Sequence, residues 1–253
     1  RAGNMSGHSK WATIKHKKAA VDKKRGKLFA KLARQIEVAA REGGGDAETN
    51  AALRTVVLKA KAGQMTNDAI DRAIKRGSGE ATGANYESIT YEGYAPGGVA
   101  MLVDVLTDNR NRTASDVRLA FSKFGGSMAE PGAVGWQFSR RGVIIVDGSA
   151  AEDDVMTVAL ESGADDIERD GDVWRVTTEP SAMWNAKAAL EAAKFTVLDA
   201  ESTMVSDTSI PVSDIEDARK VLRIMDMLED NDDVQDVYSN FDIAEEIMAE
   251  MDQ

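Results

Sequence analysis

The chain has 253 residues, 43% of them hydrophobic, which is enough for one large domain or for two to three small domains with real cores. No run approaches the roughly eighteen apolar residues of a membrane span, and no apolar signal-peptide segment follows the basic N-terminal region. We therefore expect a cytoplasmic protein that does not contact a membrane. The absence of Cys excludes disulfides, thiol nucleophiles and thiolate metal sites.

The net charge of -12 hides a division of the chain into a basic and an acidic part. Residues 1–76 contain eighteen Lys and Arg against seven Asp and Glu, a net charge of about +11. The remaining residues contain thirteen against thirty-six, about -23. Because a partner senses the local potential rather than the average, this division predicts that the basic part, called the head, binds nucleic acid. The acidic remainder, called the body, is expected to be held away from the polyanion.

The basic charge of the head is concentrated on a predicted helix at residues 23–41 and on the polar arm before it. At about 100° per residue, the cations of this helix fall on one face and its apolar side chains on the opposite face. In the arm, Trp11 lies among cations, a combination suited to phosphate contact and stacking. The alternative is a solvated charged face with Trp11 as a packing anchor. The candidate nucleic-acid contacts in the head are Lys10, Trp11, Lys15, His16, Lys17, Lys18, Lys23, Lys24, Arg25, Lys27, Lys31, Arg34, Lys75 and Arg76.

Two further helices complete the head, and as a folded domain we predict it to span residues 5–79. The second begins near Asn50 and ends at Gly63, and the third begins with Thr66 or Asn67 as N-cap. Residues 77–83 are small and polar and predict a linker between head and body.

Strand patterns dominate the body from residue 86 onward. A hairpin is predicted at residues 86–106, and a helix that starts at a Thr113 and Asp116 capping box precedes a strand at 133–138. Residues 143–198 then follow a complete βαββαβ order. The flanking elements, which include a predicted strand at 202–205, would complete a second such unit, and a short helix at 242–251 ends the chain. We therefore predict an α+β protein: a three-helix bundle plus two ferredoxin-like βαββαβ domains, one discontinuous (residues 84–139 and 200–253) and hosting the other (residues 140–199) as an insertion.

The residues give no pattern for catalysis, and we expect a protein that is not an enzyme. The two His residues, His8 and His16, both lie in the basic arm without a second metal-ligand type nearby. No stretch completes a calcium, phosphate-loop or dinucleotide-binding motif. We accordingly expect no metal, no cofactor and no small-molecule substrate. An acid/base hydrolase that uses a pair of the abundant carboxylates is the remaining enzymatic alternative.

Two groups of charged residues in the body have alternative interpretations. Arg110 and Arg112 are either a second nucleic-acid contact or loop cations paired with acidic neighbours. The acidic stretch that contains Glu229, Asp230, Asp232 and Asp233 is a solvated turn, a docking surface for a basic protein such as a polymerase or ribosomal component, or a patch that competes for the cationic head.

Motifs along nearly the whole chain resemble the YebC family of bacterial regulators and the related mitochondrial translational activator of cytochrome oxidase. The residues that carry the resemblance are Gly7-His8-Ser9-Lys10-Trp11, His16-Lys17-Lys18-Ala19-Ala20, Lys24-Arg25-Gly26-Lys27, Gly43-Gly44-Gly45-Asp46, Arg72-Ala73-Ile74-Lys75-Arg76-Gly77, Tyr91-Glu92-Gly93-Tyr94-Ala95-Pro96-Gly97-Gly98, Asp108-Asn109-Arg110-Asn111-Arg112-Thr113 and Met227-Leu228-Glu229-Asp230. One departure is Thr66, where the family often has proline at the start of the third helix.

The resemblance implies three domains, no known catalytic activity and a role in gene expression. Members have been described as DNA-binding transcriptional regulators and as ribosome-associated translation factors that assist difficult peptide-bond formation. No helix-turn-helix or dimer zipper supports direct reading of DNA bases here. We therefore expect a nucleic-acid-binding regulator whose target is DNA or ribosomal RNA, with RNA polymerase or the ribosome as the larger partner. A protein adaptor that acts through the acidic body is the second alternative.

Overall fold

The computed structural model describes residues 25–79 and 85–251. In this part of the chain, helices come first and mixed α/β elements follow, which confirms the α+β class. The head consists of α1 (Arg25–Gly43), α2 (Ala51–Ala62) and α3 (Asn67–Ser78). None of the helices in the described ranges is long and apolar enough to cross a membrane.

Local capping and a small apolar core fix the three helices of the head. Asn50 accepts a hydrogen bond from Leu53 N as the N-cap of α2, while its amide donates to Ala39 O and Gly44 O at the end of α1. Thr66, one of the two predicted N-cap candidates, caps α3. The buried core of the head is formed by Leu32, Ile36, Ala39, Ala40, Leu53, Ala60, Met65, Ile70 and Ala73.

The last turn of α3 contains Gly77 and Ser78, which the sequence pattern placed in the linker. Gly77 is buried, and a Cβ there would lie far inside van der Waals contact of Glu37 O and 2.9 Å from the Cβ of Ala40. The glycine thus allows α3 to approach α1 closely. Assigning these two residues to a flexible linker was wrong, because composition alone does not separate a packing glycine from a linker glycine.

The discontinuous part of the body is a four-stranded antiparallel sheet with two helices on one face. The bounds are β1 (Glu87–Ala95), β2 (Val99–Thr107), α4 (Arg110–Lys123), β3 (Ser127–Ala129), α7 (Ile215–Asp230) and β9 (Val234–Ser239). The strands lie in the order β3-β1-β2-β9, and Phe121 of α4 is fully buried in the core between the sheet and the helices. The remaining elements of this part, a parallel pair of short strands and the terminal helix, are β8 (Ile210–Val212), β10 (Phe241–Ile243) and α8 (Glu245–Met251).

The inserted part is a second four-stranded sheet with its own two helices. Its elements are β4 (Phe138–Asp147), α5 (Glu152–Glu161), β5 (Ala164–Asp170), β6 (Val173–Thr178), α6 (Met183–Ala192) and β7 (Val197–Ser206). The strands lie in the order β5-β6-β4-β7. All three strand pairs are antiparallel, and this order is that of the ferredoxin-like βαββαβ unit predicted here. The predicted domain boundaries at 139/140 and 199/200 fall within β4 and β7.

Several strand assignments in the discontinuous part were wrong. Residues 202–205 were predicted to be a strand of the discontinuous sheet, but they belong to β7 and pair with β4 of the inserted part. The hairpin strand β1 takes the position beside β2 that this strand would have had in a ferredoxin-like sheet. Residues 135–137 form a 3-10 turn, and the edge strand is instead the three-residue β3. Alternation of apolar residues indicates a strand but does not identify its partner.

The starts of two helices also differ from the sequence prediction. α4 begins at Arg110 with Asn109 as N-cap, and Thr113 is fully buried inside the helix rather than capping it. The C-terminal helix begins at Glu245, because residues 241–243 pair with β8.

Candidate nucleic-acid interface

The predicted nucleic-acid contacts divide into those that the structure describes and those that it does not. Lys10, Trp11, Lys15, His16, Lys17, Lys18, Lys23 and Lys24 lie outside the described residues. Of the described candidates, α1 carries Arg25, Lys27, Lys31 and Arg34, α3 carries Lys75 and Arg76, and α4 carries Arg110 and Arg112.

The cations of α1 at i, i+4 and i+7 face the body, where two lysines contact the C-terminal end of α7. Lys27 Nζ donates to Asp230 O at 2.9 Å and lies 3.4 Å from Asp230 Oδ1. Lys31 Nζ donates to Glu229 O at 2.5 Å. The last carbonyls of a helix lack intrahelical partners and carry the negative end of its dipole, so ammonium groups are favoured there.

Arg34 extends the same contact toward the sheet of the body. Its Nη1 donates to Leu106 O at 2.8 Å and to Asp233 Oδ1 at 3.1 Å, and its guanidinium stacks 4.6 Å from the centroid of the Tyr86 ring. Beside it, Gln35 Nε2 donates to Gln235 Oε1 at 2.9 Å. We call these interactions of α1, together with those of Lys27 and Lys31, the head–body contact.

Asp233 is the charged centre beneath this contact. Its buried carboxylate accepts hydrogen bonds from Arg34, from Arg112 Nη2 at 3.0 Å and from Thr113 Oγ1 at 2.7 Å. Burial opposes ionisation, but the hydrogen bonds from Thr113, Arg112 and Arg34 together outweigh it and hold the pKa of Asp233 below its ordinary value. Three elements, α1, α4 and the turn before β9, therefore meet at one carboxylate.

The contacts of Arg110 and Arg112 correspond to pairing with acidic neighbours. Arg112 also pairs with Asp108 at 2.9 Å, and Arg110 lies 3.5 Å from Glu87. Both side chains remain partly exposed, so their nucleic-acid role stays a prediction.

The acidic residues predicted to dock a partner lie at the C-terminal end of α7 and in the turn that follows it. This acidic turn, residues 229–233, meets α1 through Glu229, Asp230 and Asp233, whereas Asp232 is exposed. The interpretation in which this patch competes for the cationic head agrees with these contacts.

The head presents further cations that do not belong to the head–body contact. Lys75 is exposed on α3, and Arg76 lies 3.8 Å from Glu37 across the helix pair. Lys59, Lys61 and Arg72 are also exposed, although the sequence candidates did not include them. Plotting α2 and α3 as helical wheels would have found all three, because each helix buries only its apolar face.

Sequence reasoning also missed an exposed aromatic residue of the body. Trp136 is 76% exposed, and its indole N–H donates to Ala133 O. The buried Glu92 fixes this loop, since its carboxylate accepts backbone hydrogen bonds from Gly132, Val134 and Gly135. The loop thus presents a flat apolar surface on a backbone tied at three points.

Among residues 25–79 and 85–251, no group of three or more His, Asp or Glu side chains could hold a metal ion. The fold and the charges define an α+β protein with a basic helical head in contact with an acidic body. Comparison with known proteins identifies its family.

The TACO1/YebC protein N-terminal domain matches residues 9–80, and the TACO1/YebC second and third domain matches residues 86–241. The chain belongs to the TACO1/YebC family. A probable transcriptional regulatory protein of Rubrobacter xylanophilus is 57% identical over 98% of this chain and 99% of its own length. A second protein of that description, from Beutenbergia cavernae, is 54% identical over 98% of this chain and all of its own length. The crystal structure of a conserved hypothetical protein from Aquifex aeolicus has a TM-score of 0.75 at 42% identity, and the match covers 89% of this chain and 93% of that one.

Proposed function

We propose that this protein is a non-enzymatic regulator of gene expression that acts in the cytoplasm and binds the phosphate backbone of nucleic acid through its basic head. The observation that carries the proposal is the charge division within one chain, about +11 in residues 1–76 against about -23 in the remainder. The relatives, described as probable transcriptional regulatory proteins, support a role in regulation.

The chemistry of the head favours backbone binding over reading of bases. Its cations are spread over three short helices, and Arg25, Lys59, Lys61, Arg72 and Lys75 are all exposed. Lys and Arg neutralise phosphates regardless of sequence, and this gives affinity and orientation but no direct sequence readout. Both duplex DNA and structured RNA have such a backbone. The transcriptional and the ribosome-associated hypotheses therefore both require the head to bind phosphates.

The proposal is tested by measuring binding of the full chain to a DNA duplex of about 24 base pairs and to an RNA hairpin of equal charge. Reversing Lys24, Arg25 and Lys27 to Glu is expected to abolish binding to the preferred nucleic acid. A control in which Arg118, Lys194 and Lys220 are reversed to Glu has the same change in net charge but alters only exposed cations of the body.

The two variants separate specific contact from net charge. Loss of binding in the head variant, with binding retained in the control and circular dichroism unchanged in both, supports the proposal. Equal loss in both variants, or retained affinity in the folded head variant, contradicts it. Preference for the hairpin would assign the protein to RNA and thus to the translation hypothesis, whereas preference for the duplex would assign it to transcription.

A further inference from the structure

The face of α1 that was predicted to bind phosphates is the face that the body covers. Lys27, Lys31 and Arg34 lie on one side of the helix, and all three donate hydrogen bonds to oxygen atoms of the body. The Arg34 side chain is only 20% exposed and Lys31 is half-buried, so a nucleic-acid backbone cannot reach these two cations while the body covers them. Binding of the body and full engagement of a polyanion by this face therefore exclude each other.

The body offers these cations the kind of acceptors that a nucleic-acid backbone offers. The ammonium groups of Lys27 and Lys31 meet carbonyl oxygens at the negative end of the α7 dipole, and Asp230 adds a carboxylate. The guanidinium of Arg34 meets an anionic oxygen of Asp233 while its face stacks on Tyr86. Stacking of Arg beside an anion is also a common arrangement at phosphates.

We propose that the acidic turn is an intramolecular competitor of nucleic acid, so that the head binds a phosphodiester backbone through α1 only after the head–body contact opens. This inference rests on the proposed function, because it describes the regulation of the same surface. It predicts a closed, weakly binding state and an open, tightly binding state of the same chain. A polyanion shifts the population toward the open state by binding that state alone.

The head–body contact has the chemistry of a contact that can open. The side chains of Lys27 and Asp230 are 45% and 49% exposed, and ion pairs exposed to this extent contribute little to stability. Burial of the Lys31 ammonium outweighs attraction by nearby carboxylates and lowers the pKa of Lys31, so the closed state holds this charge at a cost. The segment that joins α3 to β1 includes residues 80–84, whose sequence Glu-Ala-Thr-Gly-Ala is small and polar.

A pair of charge reversals on one helix tests the competition. Asp230→Lys places a cation opposite Lys27 and is expected to tighten binding of the DNA duplex, or of the RNA hairpin, by about five- to ten-fold. Asp217→Lys is the matched control, since this half-buried residue lies near the other end of α7, about 20 Å away along the axis and beyond the screening length at physiological salt. The control measures the effect of net charge alone.

A cross-link provides a second readout that does not depend on changing charge. The chain has no Cys, so Gln35→Cys with Gln235→Cys creates a unique pair at positions whose side chains touch. A cleavable bismaleimide should hold the contact closed and lower the affinity of the cross-linked protein about ten-fold or more. Reductive cleavage of the linker should restore the affinity of the uncross-linked double variant.

The outcomes distinguish this inference from the proposed function. If neither the wild-type chain nor Asp230→Lys binds duplex or hairpin, the proposed function fails. If the wild type binds but the two reversals have equal affinity and the cross-link changes nothing, the proposed function stands and the competition is wrong. Tighter binding by Asp230→Lys than by Asp217→Lys, together with reversible loss on cross-linking, supports the competition.

Discussion

Asp233 joins head and body because one buried carboxylate accepts hydrogen bonds from Arg34 of α1 and from Arg112 and Thr113 of α4. Its side chain is 5% exposed, so water cannot replace a lost partner. A neutral residue here would leave Arg34 and Arg112 without their common counter-charge. The carboxylate of Asp233 therefore connects α1, α4 and the turn before β9.

We predict that Asp233→Asn lowers the free energy of unfolding by about 2 to 4 kcal/mol. The amide keeps the volume but removes the charge, and its N–H group would face the donors of Arg34, Arg112 and Thr113. Urea denaturation of the full chain measures this loss. The control Asp232→Asn changes the neighbouring exposed carboxylate and should stay within about 0.5 kcal/mol of wild type. Equal stability of the two variants would show that the buried carboxylate does not hold the elements together.

The lowered pKa of Asp233 gives stability a defined dependence on pH. In the unfolded chain this carboxyl titrates near its ordinary value of about 4, and in the folded chain it titrates lower. The stability from its ionised form is therefore complete above pH of about 5 and is lost as the pH falls through the folded pKa. Asp233→Asn should flatten the decline of stability between about pH 5 and about pH 3, and an unchanged profile would contradict this assignment.

At the scale of elements, sequence patterns predicted well those boundaries that local chemistry sets. The second helix starts at Asn50 as expected, and Thr66 is the one of the two N-cap candidates that caps the third. The hairpin turns at Gly97 and Gly98 with the positive φ that favours glycine. The short strands β3, β8 and β10 escaped prediction because three residues carry no measurable alternation. Their pairing depends on partners distant in sequence.

The close packing of α1 against α3 depends on Gly77, and we predict opposite effects for two Gly→Ala substitutions. Gly77→Ala should destabilise the head by about 2 kcal/mol or more, because its Cβ would overlap Glu37 O in a packed helix pair. Gly26→Ala, in α1, adds a methyl group that meets no other helix or strand of the described part of the chain within 4 Å, and it should be neutral or stabilise by up to about 1 kcal/mol. Thermal unfolding followed by circular dichroism compares the two, and equal shifts would contradict the close approach.

At the scale of the whole molecule, the division of charge could be predicted from the sequence, but the surface that the basic face meets could not. The spacing of Lys27, Lys31 and Arg34 shows that they share a face, and it says nothing about what lies opposite. What lies opposite this face depends on where the fold places the end of α7. The residues of α7 and the following turn that contact α1 are some two hundred positions away from it in sequence. Competition by the acidic stretch was one of three interpretations, and only the fold shows that this stretch meets α1.

The competition between body and polyanion also predicts how binding responds to salt. A nucleic acid releases counterions when cations of the head neutralise its phosphates, so affinity falls as salt rises. If the head–body contact must open first, freed carboxylates such as Asp230 take up cations from solution, and fewer ions are released overall. The wild type should therefore show a shallower dependence of log affinity on log salt than a variant whose contact is already weakened.

Asp230→Asn weakens the contact without adding a cation, and its slope should be steeper than that of the wild type by up to about 1. Asp217→Asn has the same change of net charge at the far end of α7 and should retain the wild-type slope. Titration of the duplex or hairpin from about 50 to about 200 mM salt covers the range in which such slopes are measured. A common slope for all three proteins would mean that the head binds phosphates without leaving the body. The phosphate contacts would then be made by the other exposed cations, on α2 and α3.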